Sequence, residues 1–347
     1  MPLSPTAPGP RDADERPALI LANLGTPAEP RPRAVRSFLR EFLSDRRVVE
    51  THPLLWRPVL EGIILRVRPR ASAAKYATVW RPGEETSRSG SPLMHYSERQ
   101  GELLQQELGE SVQVRVAMRY GQPALRRVMG ELMEAGCRRI ALLPLYPQYA
   151  ASSAGTVVDE AARFILASRN QPELRTVRSF ETAPAYIEAL ATALEQHWQV
   201  HGRPDPAAGE RLLLSFHSIP RAMHDAGDPY RAECERTVEL LSQRLNLPDG
   251  LAQFTFQSVF GPAAWIGPAT IDTVGELGRA GCPRLDVICP GFLSDCLETL
   301  EEINQLNRET FTTAGGGSFH YVPWGNDSDG AIATLAQQAG KVLAGWI

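Results

Sequence analysis

The chain has 347 residues, 43% of them hydrophobic, with 36 basic against 40 acidic side chains, so it can fill two cores of ordinary size and has no overall positive field to recruit nucleic acid. No apolar run reaches the ~20 residues that a bilayer span needs, and the N-terminus lacks a charged start followed by an apolar stretch. The expected location is cytoplasmic, with at most a peripheral contact at the inner face of a membrane. Residues 1–17 are rich in proline and charge without periodicity and read as a disordered tail. Order is expected from Ala18, where a strand over Ala18–Ala22 runs into Asn23-Leu24-Gly25-Thr26-Pro27, a turn whose glycine lets backbone come close to a ligand. Residues 33–43 have helical spacing. The stretch 52–70, HPLLWRPVLEGIILRVRPR, has bulky apolar residues broken by prolines and flanked by arginines. It reads either as a buried helix or as a greasy lip that touches a membrane surface through Leu54, Leu55, Trp56, Ile63, Ile64 and Leu65.

A weak internal repeat organises the rest of the chain. Glu131–Ile140, ELMEAGCRRI, resembles Glu276–Leu285, ELGRAGCPRL, and each copy reads as a helix end, a turn and a strand. Upstream, Val112–Met118 corresponds to Ala252–Gln257, and the strand entering Asn23 corresponds to Leu212–Phe216 entering His217-Ser218-Ile219-Pro220. Strands alternating with helices imply parallel sheets, and the repeat implies two of them. The fold class expected is α/β, with two Rossmann-like domains, each a parallel sheet flanked by helices. Ligands of open parallel sheets bind beyond the carboxyl ends of the strands, which collects Asn23, Arg119, Tyr146–Tyr149, His217 and Gln257. No G-x-G-x-x-G or G-x-x-x-x-G-K follows a strand, so neither a dinucleotide nor a nucleoside triphosphate is called for; Gly315-Gly316-Gly317 reads as a loop before a strand.

The chemistry concentrates near the end of the chain. After a buried strand at Leu285–Cys289, the stretch PGFLSDCLETLEE turns helical, with Leu297 and Leu300 inward and Asp295, Glu298 and Glu302 at i, i+3 and i+7 along one face. Like charges one turn apart favour protonation of at least one member. By itself the row reads equally as a solvated acidic first turn or as a ladder that passes protons or a metal cation. His217, at a strand end, can accept a proton or bind a metal. A hydrolase would need a serine on a sharp turn such as G-x-S-x-G, which is absent. Arg119 and Arg88 are candidates to pair with carboxylates, and Tyr146, Tyr149 and Trp265 offer flat aromatic surfaces. Together these groups suit a large, planar, dianionic ligand. The five cysteines, Cys137, Cys234, Cys282, Cys289 and Cys296, contain no C-x-x-C and read as packing residues.

The motifs LANLGTP, FLSDRRVV, GSPLM, MRYGQP, PLYPQY with SSAGT, LSFHSIP, TFQS with FGPAAWIGP, and CPGFLSDCLETLEEI, in that order from Ala18 to the C-terminus, resemble ferrochelatase, the family that inserts ferrous iron into protoporphyrin IX in the last step of haem synthesis. The resemblance implies domains over 18–180 and 181–325 with the porphyrin between them, and a helix over 326–347 returning to the first domain. It implies that His217 and Glu298 form the catalytic and metal-binding pair, and that Asp295 and Glu302 complete an acidic path. Leu24, Arg88, Arg119, Tyr120, Tyr149 and Trp265 match porphyrin-binding positions, and 52–70 matches the membrane-facing lip. Ser218, Cys296 and Ala269 depart from the commonest family pattern, and residues 81–89 lengthen the loop ahead of Gly90. No cysteine follows Cys296, so the iron-sulfur cluster of some relatives is not expected, and no cofactor is expected to stay bound. The alternatives that the resemblance leaves open are a non-catalytic tetrapyrrole carrier and a chelatase for another metal or a more carboxylated porphyrin.

Overall fold

The run Ala18–Asn23, ALILAN, is apolar at nearly every position rather than at alternate ones, as a strand covered on both faces requires, and all six residues are buried. It forms strand β1 in the computed structural model, which describes residues 16–84, 88–259, 261 and 263–347. Residues 1–15 of the expected tail and residues 85–87 of the expected loop insertion lie outside the described residues. Two residues ahead of Ala18 are tied to the first unit: the Pro17 carbonyl accepts from Gln113 N at 2.9 Å and Arg16 donates to the Glu110 carbonyl at 2.9 Å.

The chain divides into two compact units, one running to Ser179 and including Leu335–Ile347, the other Phe180–Thr334. In the first, β1 pairs in parallel with β2 (Gln113–Met118) and β3 (Arg139–Pro144), and β4 (Glu173–Thr176) extends the edge, in the order β2-β1-β3-β4. In the second, β5 (Arg211–His217) lies between β6 (Ala252–Gln257) and β7 (Arg284–Ile288), with β8 (Ser318–Tyr321) outside, in the order β6-β5-β7-β8. The two sheets therefore share one topology, as the repeat requires. Helices join successive strands because parallel neighbours need a crossover. Between β2 and β3, helix Leu125–Glu134 buries Leu125, Val128, Met129, Leu132 and Met133, one stripe of an amphipathic helix.

The repeated Ala-Gly-Cys triplet has a local physical cause. In the first copy Gly136 N bonds to Met133 O at 3.2 Å and Cys137 N to Leu132 O at 3.0 Å. In the second, Gly281 N bonds to Gly278 O at 2.9 Å and Cys282 N to Leu277 O at 3.0 Å. Both helices thus end in the two-bond cap that needs a left-handed residue after the last turn, and both glycines have positive φ. Each cysteine thiol then donates to the carbonyl two residues on, Cys137 to Arg139 at 3.3 Å and Cys282 to Arg284 at 3.1 Å. All five cysteines are buried and unbridged.

The stretch 52–70 divides between the two expected roles. It runs as helix Pro53–Val59, a wider π-helical turn Leu60–Ile64, and the start of helix Leu65–Val79. Leu60 and Leu65 are buried, Trp56 and Ile64 pack against the cluster of Val35, Phe38 and Tyr120, and Trp56 Nε1 donates to the Leu43 carbonyl at 2.7 Å. Leu65, Trp56 and Ile64 therefore belong to the core side, and the exposed apolar surface is Leu54, Leu55, Val59, Ile63 and Val67.

Candidate active site

In each sheet the strand order reverses beside its central strand, and loops leaving the carboxyl ends of such a pair splay apart to leave room for a ligand. In the second unit that pair is β5 and β7. His217 ends β5, and its Nδ1 lies 2.5 Å from the Ser218 carbonyl oxygen. A carbonyl only accepts, so Nδ1 carries the proton and the basic lone pair is on Nε2. Beside it, in register, Gln257 ends β6. The Gln257 amide donates to the Glu298 carbonyl at 2.8 Å, while its Oε1 accepts from Ser215 Oγ at 2.8 Å. Ser215 Oγ is in turn 2.8 Å from Thr270 Oγ1, which donates to Thr255 Oγ1 at 3.0 Å. This buried hydrogen-bond chain fixes the backbone from which Glu298 projects.

Next along the chain, Ser258 has φ of 64°, a left-handed conformation that costs a serine free energy. The turn aims two donors at one carboxylate: Ser258 N reaches Glu302 Oε1 at 2.7 Å and Ser258 Oγ reaches Oε2 at 2.5 Å. Burial pushes the Glu302 carboxyl above its ordinary pKa, the Ser258 hydrogen bonds and the His217 charge pull it back, and the Glu298 charge adds to the rise. Glu302 thus has both His217 and Glu298 as electrostatic neighbours, and its burial favours the protonated form.

The acidic row differs from its expected form. Residues Glu298–Asn307 wind as a π-helix, and the buried positions are Thr299, Ile303 and Asn307 rather than Leu297 and Leu300. Asp295 precedes the helix and does not share its face with Glu298 and Glu302. It is buried, accepting from Thr299 Oγ1 at 2.7 Å, Tyr321 hydroxyl at 2.5 Å and Asn326 Nδ2 at 2.8 Å. Those three bonds use most of its acceptor capacity, so Asp295 serves as an anchor for the helix entrance. Cys296 follows it as a buried thiol whose pKa burial raises, with the Glu298 charge adding to the effect.

The loop leaving His217 pairs with the one carrying Trp265: Ile266 N bonds to Ile219 O at 3.1 Å, Arg221 N to Ala264 O at 2.8 Å, and Ser218 Oγ to Ile266 O at 2.8 Å. Trp265 thereby lies across from Pro220, half-buried.

The first unit supplies the other predicted positions. Arg119 follows β2, and rather than presenting a fork outward it donates through Nε to the Thr156 carbonyl at 2.9 Å and through Nη2 to Asp45 Oδ2. Only 9% of the Arg119 side chain and 5% of the Asp45 side chain are exposed. Tyr120 is fully buried, its hydroxyl 3.0 Å from the same Asp45 oxygen, and burial raises its pKa. Arg119 thus pairs with a carboxylate, as expected of its fork, but that carboxylate is the chain's own Asp45, which also holds Tyr120. Gly25, with φ of 110°, is required here: a Cβ would lie 1.8 Å from the Tyr120 carbonyl oxygen, so its close approach is to the chain itself. Leu24 packs beside Tyr120 in the same apolar cluster. Tyr149 is half-buried with the Arg178 guanidinium 4.4 Å over its ring, and Arg88 sits in a short 3₁₀ turn, Arg88–Gly90, half-buried. Asp45, Ser258, Tyr321 and Asn326 are partners of the predicted residues that sequence reasoning misses. Asp45 lies within the FLSDRRVV motif, whereas no local signal marks the partners of Ser258 or Asp295.

The chain is similar to known proteins along nearly its whole length. The ferrochelatase family profile matches residues 16–342. The ferrochelatase of Dechloromonas aromatica (strain RCB) is 49% identical over 332 residues, covering 95% of this chain and 88% of that one. That of Aromatoleum aromaticum (strain DSM 19018 / LMG 30748 / EbN1) is 48% identical over 337 residues, covering 96% and 89%. Among solved structures, the sirohydrochlorin chelatase SirB from Bacillus subtilis subspecies spizizenii, in complex with cobalt, superposes with a TM-score of 0.53 at 11% identity, covering 94% of this chain and 95% of that one, a likeness of fold. With the profile spanning nearly the whole chain and relatives close to half identical along it, the chain belongs to the ferrochelatase family and is a metal chelatase of the lyase class.

Proposed function

We propose that the chain inserts ferrous iron into protoporphyrin IX, that His217 is the base, and that Glu298 and Glu302 complete the proton and metal route. The observation that carries this reading is the His217 ring, whose Nδ1–H is held by the Ser218 carbonyl while its charge reaches the buried Glu302 carboxyl of the π-helix. Metallation removes two pyrrole protons and replaces them with a divalent cation, so the macrocycle keeps its electrons and iron stays ferrous. Nε2 of His217 takes the two pyrrole protons one after the other, and Glu302, whose pKa burial raises, receives each in turn before release to solvent. Glu298 supplies negative charge to the incoming cation. The Gln257 and Ser258 bonds hold both glutamates in place, so little reorganisation accompanies the step. The chemistry asks for no electron carrier.

Anaerobic absorbance of protoporphyrin IX with ferrous iron tests the proposal directly. A haem spectrum appearing with turnover supports it. A single stoichiometric change without turnover indicates a carrier, and faster conversion of coproporphyrin, or of zinc or cobalt than of iron, indicates a different chelatase.

The exposed residues Leu54, Leu55, Ile63 and Val67, with Arg57, Arg66 and Arg70 exposed among them, support a peripheral contact with an anionic membrane. No helix among the described residues is long and apolar enough to cross a membrane. Flotation with phosphatidylserine-containing liposomes should fall in a Leu54→Glu, Ile63→Glu variant; equal flotation removes this surface from the proposal.

A further inference from the structure

A second group of ionisable side chains lies elsewhere in the second unit. Asp286, on β7, is in register with His320 on β8 and with Leu212 on β5. Leu212 is five residues before His217, which places this group about 16 Å along the sheet from the base at the usual rise of ~3.3 Å per residue. Helix Pro184–His201 contributes His197 and His201. The three imidazoles cluster tightly, with ring centroids 4.5 Å apart for His197–His201, 4.5 Å for His201–His320 and 5.2 Å for His197–His320.

We propose that His197, Asp286 and His320 bind a first-row divalent cation, with His201 beside them as a further imidazole. One ligand atom from each of the three lies within 4.8 Å of the other two. His197 Nε2 and His320 Nδ1 are 3.4 Å and 3.0 Å from Asp286 Oδ1. Ligands at ~2.0–2.1 Å in a tetrahedral site stand roughly 3.3 Å from one another, so both spacings are those of a site needing little rearrangement. His197 Nε2 is buried and, despite its 3.4 Å approach to the carboxylate, makes no hydrogen bond. A buried nitrogen left in that state is costly, and a metal ion would use its lone pair.

The surroundings are those of a ligand held in position. Asp286 Oδ2 accepts from Trp198 Nε1 at 3.0 Å and Arg284 Nη2 at 2.7 Å, and Oδ1 accepts from Arg284 Nε at 2.9 Å. Arg284 also donates to the His201 carbonyl at 2.7 Å, tying the carboxylate to the helix that carries both histidines. Outer contacts of this kind orient metal ligands. The remaining acceptor position on Oδ1 faces His320 Nδ1, 3.0 Å away. Binding there requires the His320 proton to sit on Nε2, so that the cation takes both the Nδ1 lone pair and the Oδ1 lone pair. Because Arg284 already offsets the aspartate charge, attraction comes mainly from imidazole nitrogen. That selects zinc, cobalt or nickel over magnesium or calcium. The bound ion would clamp helix Pro184–His201 to the β7–β8 edge.

Cobalt(II) added to the full-length protein provides the test through its visible absorption, which is intense only at low coordination number. The expected result is a tetrahedral-type spectrum that persists in a His217→Ala, Glu298→Gln variant and disappears in a His197→Gln, His320→Gln variant. No such spectrum in the wild-type protein, or one unchanged by the His197→Gln, His320→Gln pair, overturns the proposal. Should that variant fail to fold, imidazole ¹⁵N resonances of the wild-type protein titrated with zinc decide instead: His320 Nδ1 should lose its proton signature and His197 Nε2 should shift with it. Unmoved resonances for both refute the site. Zinc should also raise Tm where equimolar magnesium does not, and an equal rise with magnesium refutes imidazole ligation.

Discussion

Replacing Asp45 tests whether Arg119 is an internal structural cation. Asp45 Oδ2 is the shared acceptor of the Arg119 guanidinium and the Tyr120 hydroxyl, with all three groups buried or nearly so. Asp45→Asn removes the negative charge and leaves Arg119 with neutral contacts, among them the Thr156 carbonyl and the Tyr120 ring 4.4 Å away. An uncompensated buried charge costs about 3–5 kcal/mol. Asp45→Ala also strands the Tyr120 hydroxyl, for which a further ~1–3 kcal/mol is expected. Asp45→Asn combined with Arg119→Met removes both charges and should recover most of the loss, because an ion pair replaced as a pair is often close to neutral. Urea unfolding of these variants and of Arg119→Met alone, with hydrogen exchange of the β1 and β2 peptides to isolate the first unit, gives the four values. A large coupling energy in the double-variant cycle is the expected result. If the losses of Asp45→Asn and Arg119→Met simply add, the pair is not coupled and Arg119 is available for a ligand carboxylate.

Three further outcomes rest on the second unit. His217→Ala should abolish metal insertion while porphyrin still quenches fluorescence on binding, and near-normal turnover would remove His217 from the mechanism. Glu298→Gln should cost at least ~10²-fold in turnover with little change in Tm, the usual scale for a lost proton-transfer or charge-stabilising group; unchanged kinetics would make the acidic residues a solvated helix face. Glu302→Gln should act on stability in a pH-dependent way. The folded pKa of Glu302 is raised, so the wild-type protein loses stability as pH rises from the ordinary glutamate range through that value, and the variant should gain on it at alkaline pH. The two melting curves should converge at pH below the ordinary glutamate range; a constant difference at all pH values would show that lost Ser258 hydrogen bonds, not the charge, dominate.

The features legible in the chain alone were those with a local cause. Nearly continuous apolar runs such as ALILAN require burial on both faces, helical spacing marks the crossovers, and Ala-Gly-Cys twice caps a helix ahead of a strand. Repetition of those units implied two parallel sheets, and the carboxyl ends of their strands collected His217 and Gln257. The motif order carried the family. Tertiary structure decided which side chains meet. Asp45 and Arg119 are 74 residues apart, and nothing near either one marks the other as its partner. Spacing of i, i+3 and i+7 places three carboxylates on one face only if an α-helix is continuous through them. Here the segment begins after Asp295 and winds as a π-helix, so Asp295 turns to Tyr321 and Asn326 while Glu302 turns to Ser258. Likewise the stretch 52–70 contains apolar residues of one kind, and only packing against Val35 and Phe38 separates the buried Leu60 and Leu65 from the exposed Leu54 and Ile63. Periodicity and turn chemistry act within a few residues, whereas charge pairing and desolvation depend on which distant segment arrives alongside.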